Sequence, residues 1–91
     1  MKFRKRPVVV EAVQVSKILA DADSGEASRR WPSWIMEAFE KSVIRFRVNS
    51  VVIKTLEGEH LGGYADWIIQ GVRGELYPCK PDIFEATYEP A

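Results

Sequence analysis

Cysteine and histidine are almost missing from the chain, which holds one of each among 91 residues, Cys79 and His60. One cysteine forms no internal disulfide, which argues against a stapled secreted domain and fits a reducing cytoplasm. One Cys and one His are too few for structural zinc, which takes about four such ligands at close spacing. Net charge is missing too. Thirteen Lys and Arg offset thirteen Asp and Glu, so no global field draws in nucleic acid or an anionic membrane. Long apolar runs are also lacking: no uncharged stretch approaches the roughly 18 residues of a membrane span. The basic start followed by Val8-Val9-Val10 imitates a signal peptide, but Glu11 ends the run, short of the about 7–15 residues of an h-region. A cytoplasmic chain without membrane contact is expected. Repeats, linkers and low-complexity tracts are absent, so residues 1–91 are read as one domain.

What is present is apolar area. Three Trp, three Tyr and four Phe give a small core much surface to bury. β-Branched Val8, Val9, Val10, Val13 and Val15 favour a strand that starts at Pro7. Residues 16–30 carry the turn chemistry Asp-Ala-Asp-Ser-Gly and read as a loop with one helical turn. Residues 32–41 are the strongest helix. Pro32 suits its first position, and Trp31, Trp34, Ile35, Ala38 and Phe39 form an apolar stripe, with Glu37 and Lys41 paired outside it. Ile44, Phe46 and Val48 alternate with Val43, Arg45 and Arg47, and Asn49-Ser50 turns this strand into VVIKTL. After a turn at Glu57-Gly58-Glu59, HLGGY is a weak strand.

Residues 66–79 predict a hairpin around Gly71-Val72-Arg73-Gly74, with Gln70 facing Glu75 and Trp67 facing Pro78. Pro81 then breaks the strand, and Asp82 with Glu85 has capping-box spacing for a turn that returns Phe84 and Tyr88 to the core. The fold class expected is α+β. A small, mainly antiparallel sheet of four to five strands carries one amphipathic helix on a face and a short C-terminal helical turn.

Catalytic chemistry finds little support. Cys79 and His60 are the one nucleophile–base pair available, and spacing suggests no third, orienting residue. A Cys/His enzyme is therefore the weakest reading, and no catalytic residue is assigned. Asp21-Ala22-Asp23-Ser24-Gly25 opens like a calcium loop, but Pro32 stands where the twelfth-position Glu belongs. Glu57 with Glu59 and Glu37 with Glu40 fall where solvent exposure is expected, and raising a carboxyl pKa for acid catalysis takes burial. Gly62-Gly63 and residues 71–74 lack the context of a phosphate loop. No cofactor or metal is expected.

Two surfaces remain. Lys2, Arg4, Lys5 and Arg6, joined by Arg45 and Arg47, form a basic set able to contact phosphates, though neutral net charge favours a solvated arm. Docking to a protein partner is the favoured reading, through an N-terminal edge strand or exposed aromatics such as Trp31. Asp66, Arg73, Lys80 and Asp82 are added as polar groups the fold needs least.

The ends of the chain carry a resemblance. MKFRKRPVVVEAVQV and ADWIIQGVRGELYPCKPDIFEATYEP are similar to the two ends of a group of short proteins of unknown function encoded in bacteriophage and prophage genomes. The group's end reads approximately Pro-Gly-Asp-Trp-Ile-Ile, Gly-x-x-Gly-Glu, Tyr-Pro-Cys-Lys-Pro-Asp-Ile-Phe-Glu and Thr-Tyr-Glu. Asp66, Trp67, Ile68, Ile69, Gly71, Gly74, Glu75, residues 77–85, Thr87, Tyr88 and Glu89 match it. Tyr64-Ala65 stands where the group has Pro-Gly. The likeness spans about 40 residues and implies a small phage accessory protein in a bacterial host. It transfers no catalytic or binding residue.

Overall fold

The structure, a computed structural model, describes residues 1–2 and 8–90. Of the basic arm, Arg4, Lys5 and Arg6 lie outside the described residues. The valine-rich segment becomes β1 (Glu11–Gln14), which pairs antiparallel with β5 (Trp67–Gln70), itself paired with β6 (Leu76–Cys79). β2 (Ile44–Phe46), β3 (Ser50–Thr55) and β4 (Gly58–Gly63) form a second antiparallel sheet with β3 at its centre. The α+β, antiparallel architecture is as expected, with the six strands of the described residues divided between two three-stranded sheets.

The weakly patterned HLGGY stretch is a full strand, because β3 pairs with it from Ser50↔Gly63 to Thr55↔Gly58. Its glycines mark a close approach. A Cβ at Gly62 would stand 3.0 Å from Val51 Cγ2 and 3.5 Å from both Pro78 and Val15, so β3, β4, β6 and the start of the helix after β1 meet there. Pro78 has no N–H to continue a ladder, which suits β6 as the border of its sheet.

The largest correction concerns residues 16–30. In place of a loop with one helical turn the chain forms α1 (Val15–Asp23) and α2 (Ala27–Arg30). Val15, Ile18 and Leu19 share one helical face and are buried, which outweighs the turn chemistry after them. The Asp-Ala-Asp-Ser-Gly run terminates α1. Gly25 adopts φ +76°, its N–H donates to Ala22 O (3.2 Å), and the Glu26 N–H donates to Asp21 O (2.9 Å). This is the Schellman arrangement.

α3 (Ser33–Glu40) follows, with Pro32 just outside it at the N-cap and not at its first position. Ile35 and Ala38 are buried, and Lys41 Nζ reaches Glu37 Oε1 at 2.7 Å as the i,i+4 spacing expects. The core joins α1 and α3 to Val13, Ile44, Val51, Ile53, Ile68 and Leu76. Each fully buried aliphatic side chain contributes about 1.5–3 kcal/mol.

The second hairpin differs from expectation by one residue. Its connection is residues 71–75, closed by Gly71 N–H to Glu75 O (2.7 Å), so Gln70 faces Leu76 and Trp67 faces Cys79. A slip of one residue exchanges faces. Ile68 and Leu76 therefore enter the core, while Trp67, Ile69, Tyr77 and Cys79 lie on the opposite face. α4 (Pro81–Thr87) starts with Pro81 in its first turn and Lys80 as N-cap, so Asp82 is inside the helix and makes no capping box. Among the described residues no helix is long and apolar enough to cross a membrane.

Candidate functional site

The polar residues singled out in the sequence scatter. Lys2 is exposed. Arg45 and Arg47 are exposed at β2, and Arg45 Nη2 pairs with Glu59 Oε2 at 2.7 Å, which occupies its guanidinium. Arg73 is exposed at the tip of the β5–β6 connection, and Asp82 is exposed in the first turn of α4. Trp31, expected as an exposed aromatic, is half-buried. Its Nε1–H donates to Ile18 O (3.1 Å) and its ring contacts Phe39 and Phe46.

Asp66 and Lys80 do come together, yet as a structural corner. Asp66 is buried, and its Oδ2 accepts the Gly63 N–H (2.8 Å) and pairs with Lys80 Nζ (3.1 Å). The backbone oxygens of Tyr64 and Asp66 accept the first N–H groups of α1, from Ser16 (3.0 Å) and Val15 (2.9 Å). Asp66 is thus a residue the fold needs, contrary to the sequence expectation. Tyr64 and Ala65 sit in this turn without a positive φ, so no Pro-Gly is required there.

Cys79 borders the corner. Burial, then the carboxylates of Asp66 and Asp82, push its thiol above the ordinary value, which disfavours the nucleophilic thiolate. His60 is exposed on β4, in the other sheet, and the Cys79 hydrogen bond goes to Lys80 O instead (3.6 Å). Among the described residues no group of three or more His, Cys, Asp or Glu is placed to hold a metal ion.

A larger feature lies on the outer face of β1, β5 and β6. Trp67 and Tyr77 project there, because Ile68 and Leu76 on the same strands are taken into the core. Pro81 sets the direction of α4, and the Phe84 ring stacks on Trp67 at 4.2 Å and 10° between planes. Tyr88, one turn on, packs against Phe84 at 5.2 Å. The aromatic row and the segment of Val8, Val9 and Val10 border an open groove of about 870 Å³. Its charged lining residues are Glu75 and Glu89, with no Lys or Arg among the described lining. Burial, then the neighbouring Tyr88, pushes the Tyr77 phenol up to about 12.

The sequence reading sent Phe84 and Tyr88 to the core and so passed over this groove. The signal for it was their i,i+4 spacing on a helix with no other apolar face to seat. The chain matches no protein-family model, no curated protein and no solved structure.

Proposed function

We propose that this is a small phage-type accessory protein that acts in the host cytoplasm by docking a protein partner and not by catalysis. The observation that carries this is the open groove over Trp67, Tyr77, Phe84 and Tyr88 with its acidic border. Rigid aromatic side chains supply contact area at low entropic cost and dominate interface energetics. Glu75 and Glu89 complement a basic segment, and aromatic faces attract cations. The partner is therefore a protein segment bearing Lys or Arg beside apolar residues. The raised thiol of Cys79 and its separation from His60 support the non-enzymatic part of the reading, and the resemblance of the chain's ends supports the phage part.

The test uses photo-cross-linking in bacterial lysate. Val9 is 79% exposed, so replacing it leaves the core intact. A cross-linking residue at Val9 is expected to trap a discrete partner that the same residue at Arg47 does not trap. Val9→Glu should abolish that partner's capture. Failure to trap any protein, or the same proteins trapped from both positions, refutes the docking reading.

A further inference from the structure

The sheet of β1, β5 and β6 ends in two unlike borders. In an antiparallel pair, opposed residues alternate between bonding each other and turning their N–H and C=O groups away. Val15 N–H donates to Asp66 O (2.9 Å), one step beyond Gln14↔Trp67, so Val13↔Ile68 and Glu11↔Gln70 are bonded pairs. The Gly71–Glu75 bond gives β5 the matching alternation, with Trp67 and Ile69 bonding β6 while Ile68 and Gln70 bond β1. Ala12 and Gln14 therefore turn their N–H groups outward, away from β5. Among the described residues neither N–H has an acceptor, and Ala12 O has no donor. On β6 the outward position falls to Pro78, which has no N–H and stands against Gly62 of β4. A border with unpaired backbone groups is a template for another strand unless it is blocked or covered. Pro78 blocks β6, and β1 is open.

The flanks of the open edge are concave. Ala12 and Trp67 line both the aromatic groove and a second cavity of about 270 Å³, which continues past Gln14 to Lys17 and Pro32. The two ends differ in charge. Lys17, Arg29 and Arg30 face Asp21 and Glu26 at the cavity end, a balance of one positive charge. At the groove end stand Glu75 and Glu89 in the lining and Glu11 at the start of β1, against Arg73 at the hairpin tip.

We propose, resting on the docking reading above, that the partner segment binds as an added antiparallel strand on β1. One of its residues exchanges both backbone bonds with Ala12, and Gln14 N–H donates to the carbonyl two residues earlier. Backbone bonds of this kind supply affinity, and the concavities for alternate side chains supply selectivity. Opposed residues share a face, so the residues bonded to Ala12 and Gln14 send their side chains over Trp67 on the outer face. The alternate ones lie beside Val13 and are apolar. An antiparallel segment ends at the groove, so its Lys or Arg residues fall on the outer face in its C-terminal half.

The experiment titrates the whole chain with the peptide acetyl-Val-Thr-Val-Thr-Val-Lys-Val-Lys-amide and follows assigned backbone amides by NMR. The peptide should shift Ala12 and Gln14 saturably and protect both N–H groups from hydrogen exchange. N-methylation at its Thr and Lys residues should weaken binding at least about tenfold, whereas N-methylation at its Val residues should not. Ala12→Pro should weaken binding likewise while melting close to the parent, since its N–H serves no bond to β5. The methylated peptides use the parent chain and decide the matter if Ala12→Pro fails to fold. Replacing Lys by Glu in the peptide should also weaken binding; tighter binding would mean that the basic arm meets the segment, and would overturn its assigned charge. A shift at Trp67 with unchanged exchange at Ala12, or equal losses from both methylations, refutes strand addition and leaves groove docking standing. No binding at millimolar peptide also refutes strand addition, and the docking reading is then judged by its own cross-linking test.

Discussion

Asp66 and Ser42 show how much one residue carries in a chain this small. Asp66 Oδ2 serves the Gly63 N–H and the Lys80 ammonium together, but the two partners differ in exposure. The Asp66 side chain is 6% exposed and that of Lys80 is 65% exposed. Asp66→Ala should lower the unfolding free energy by about 2 kcal/mol, because a charge-assisted bond to a part-buried N–H is lost. Lys80→Ala should cost less than about 1 kcal/mol, as exposed members of ion pairs do. Urea denaturation separates the two, and equal losses would place the effect in the ion pair instead. Ser42 ends α3 at φ 59°, the backbone region in which a Cβ is strained. Ser42→Gly should therefore raise stability by about 0.5–1 kcal/mol in the same assay. Neither role was legible in the sequence. Asp66 looked dispensable because its contact runs back three residues, across a turn that no composition rule marks.

At the scale of elements, the sequence was clearest where apolar spacing was long and regular, as in α3 and the β2–β3 hairpin. It misled at α1, where a run of Asp, Ser and Gly resembles a loop. Those same residue types close helices. Gly25 is the discriminating residue, since the Schellman end needs its φ of +76°. Gly25→Ala should destabilise by about 1 kcal/mol, read as a lower thermal midpoint, whereas a true loop glycine with φ below zero would gain from the change.

The β5–β6 hairpin was found in the sequence, but its register was set by the Gly71–Glu75 backbone bond, which side-chain pattern does not encode. The observed register places Tyr77 beside Tyr88, and that has a pH consequence. An unfolded tyrosine titrates near 10 and Tyr77 in the fold near 12. Below pH 10 both states keep the proton, so this contribution is fully present. From pH 10 to 12 the unfolded chain releases a proton that the fold retains, and stability falls as pH rises. Comparing urea midpoints across that range, Tyr77→Phe should show a shallower decline than the parent. Parallel declines would mean that Tyr77 titrates normally.

For the whole molecule, the decisive contact is the one between the two sheets, and the sequence carried it only as a puzzle. Gly62-Gly63 looked like a loop or a poor strand, because glycine packs nothing itself. Its purpose lies in what it admits. With no side chain at Gly62, Val51, Val15 and Pro78 close over β4, and one core serves both sheets. Such a contact joins residues far apart in the chain, which local pattern cannot reveal. Gly62→Val should overpack this junction and cost about 1–3 kcal/mol, read by urea denaturation. The steric origin has its own signature. Val51 Cγ2 is the nearest atom, so Val51→Ala opens the space that the new side chain needs. The double variant should then be less destabilised than the sum of the single ones, a coupling of about 0.5–3 kcal/mol. Additive losses would mean that the glycine is required for its backbone and not for the space it leaves to Val51.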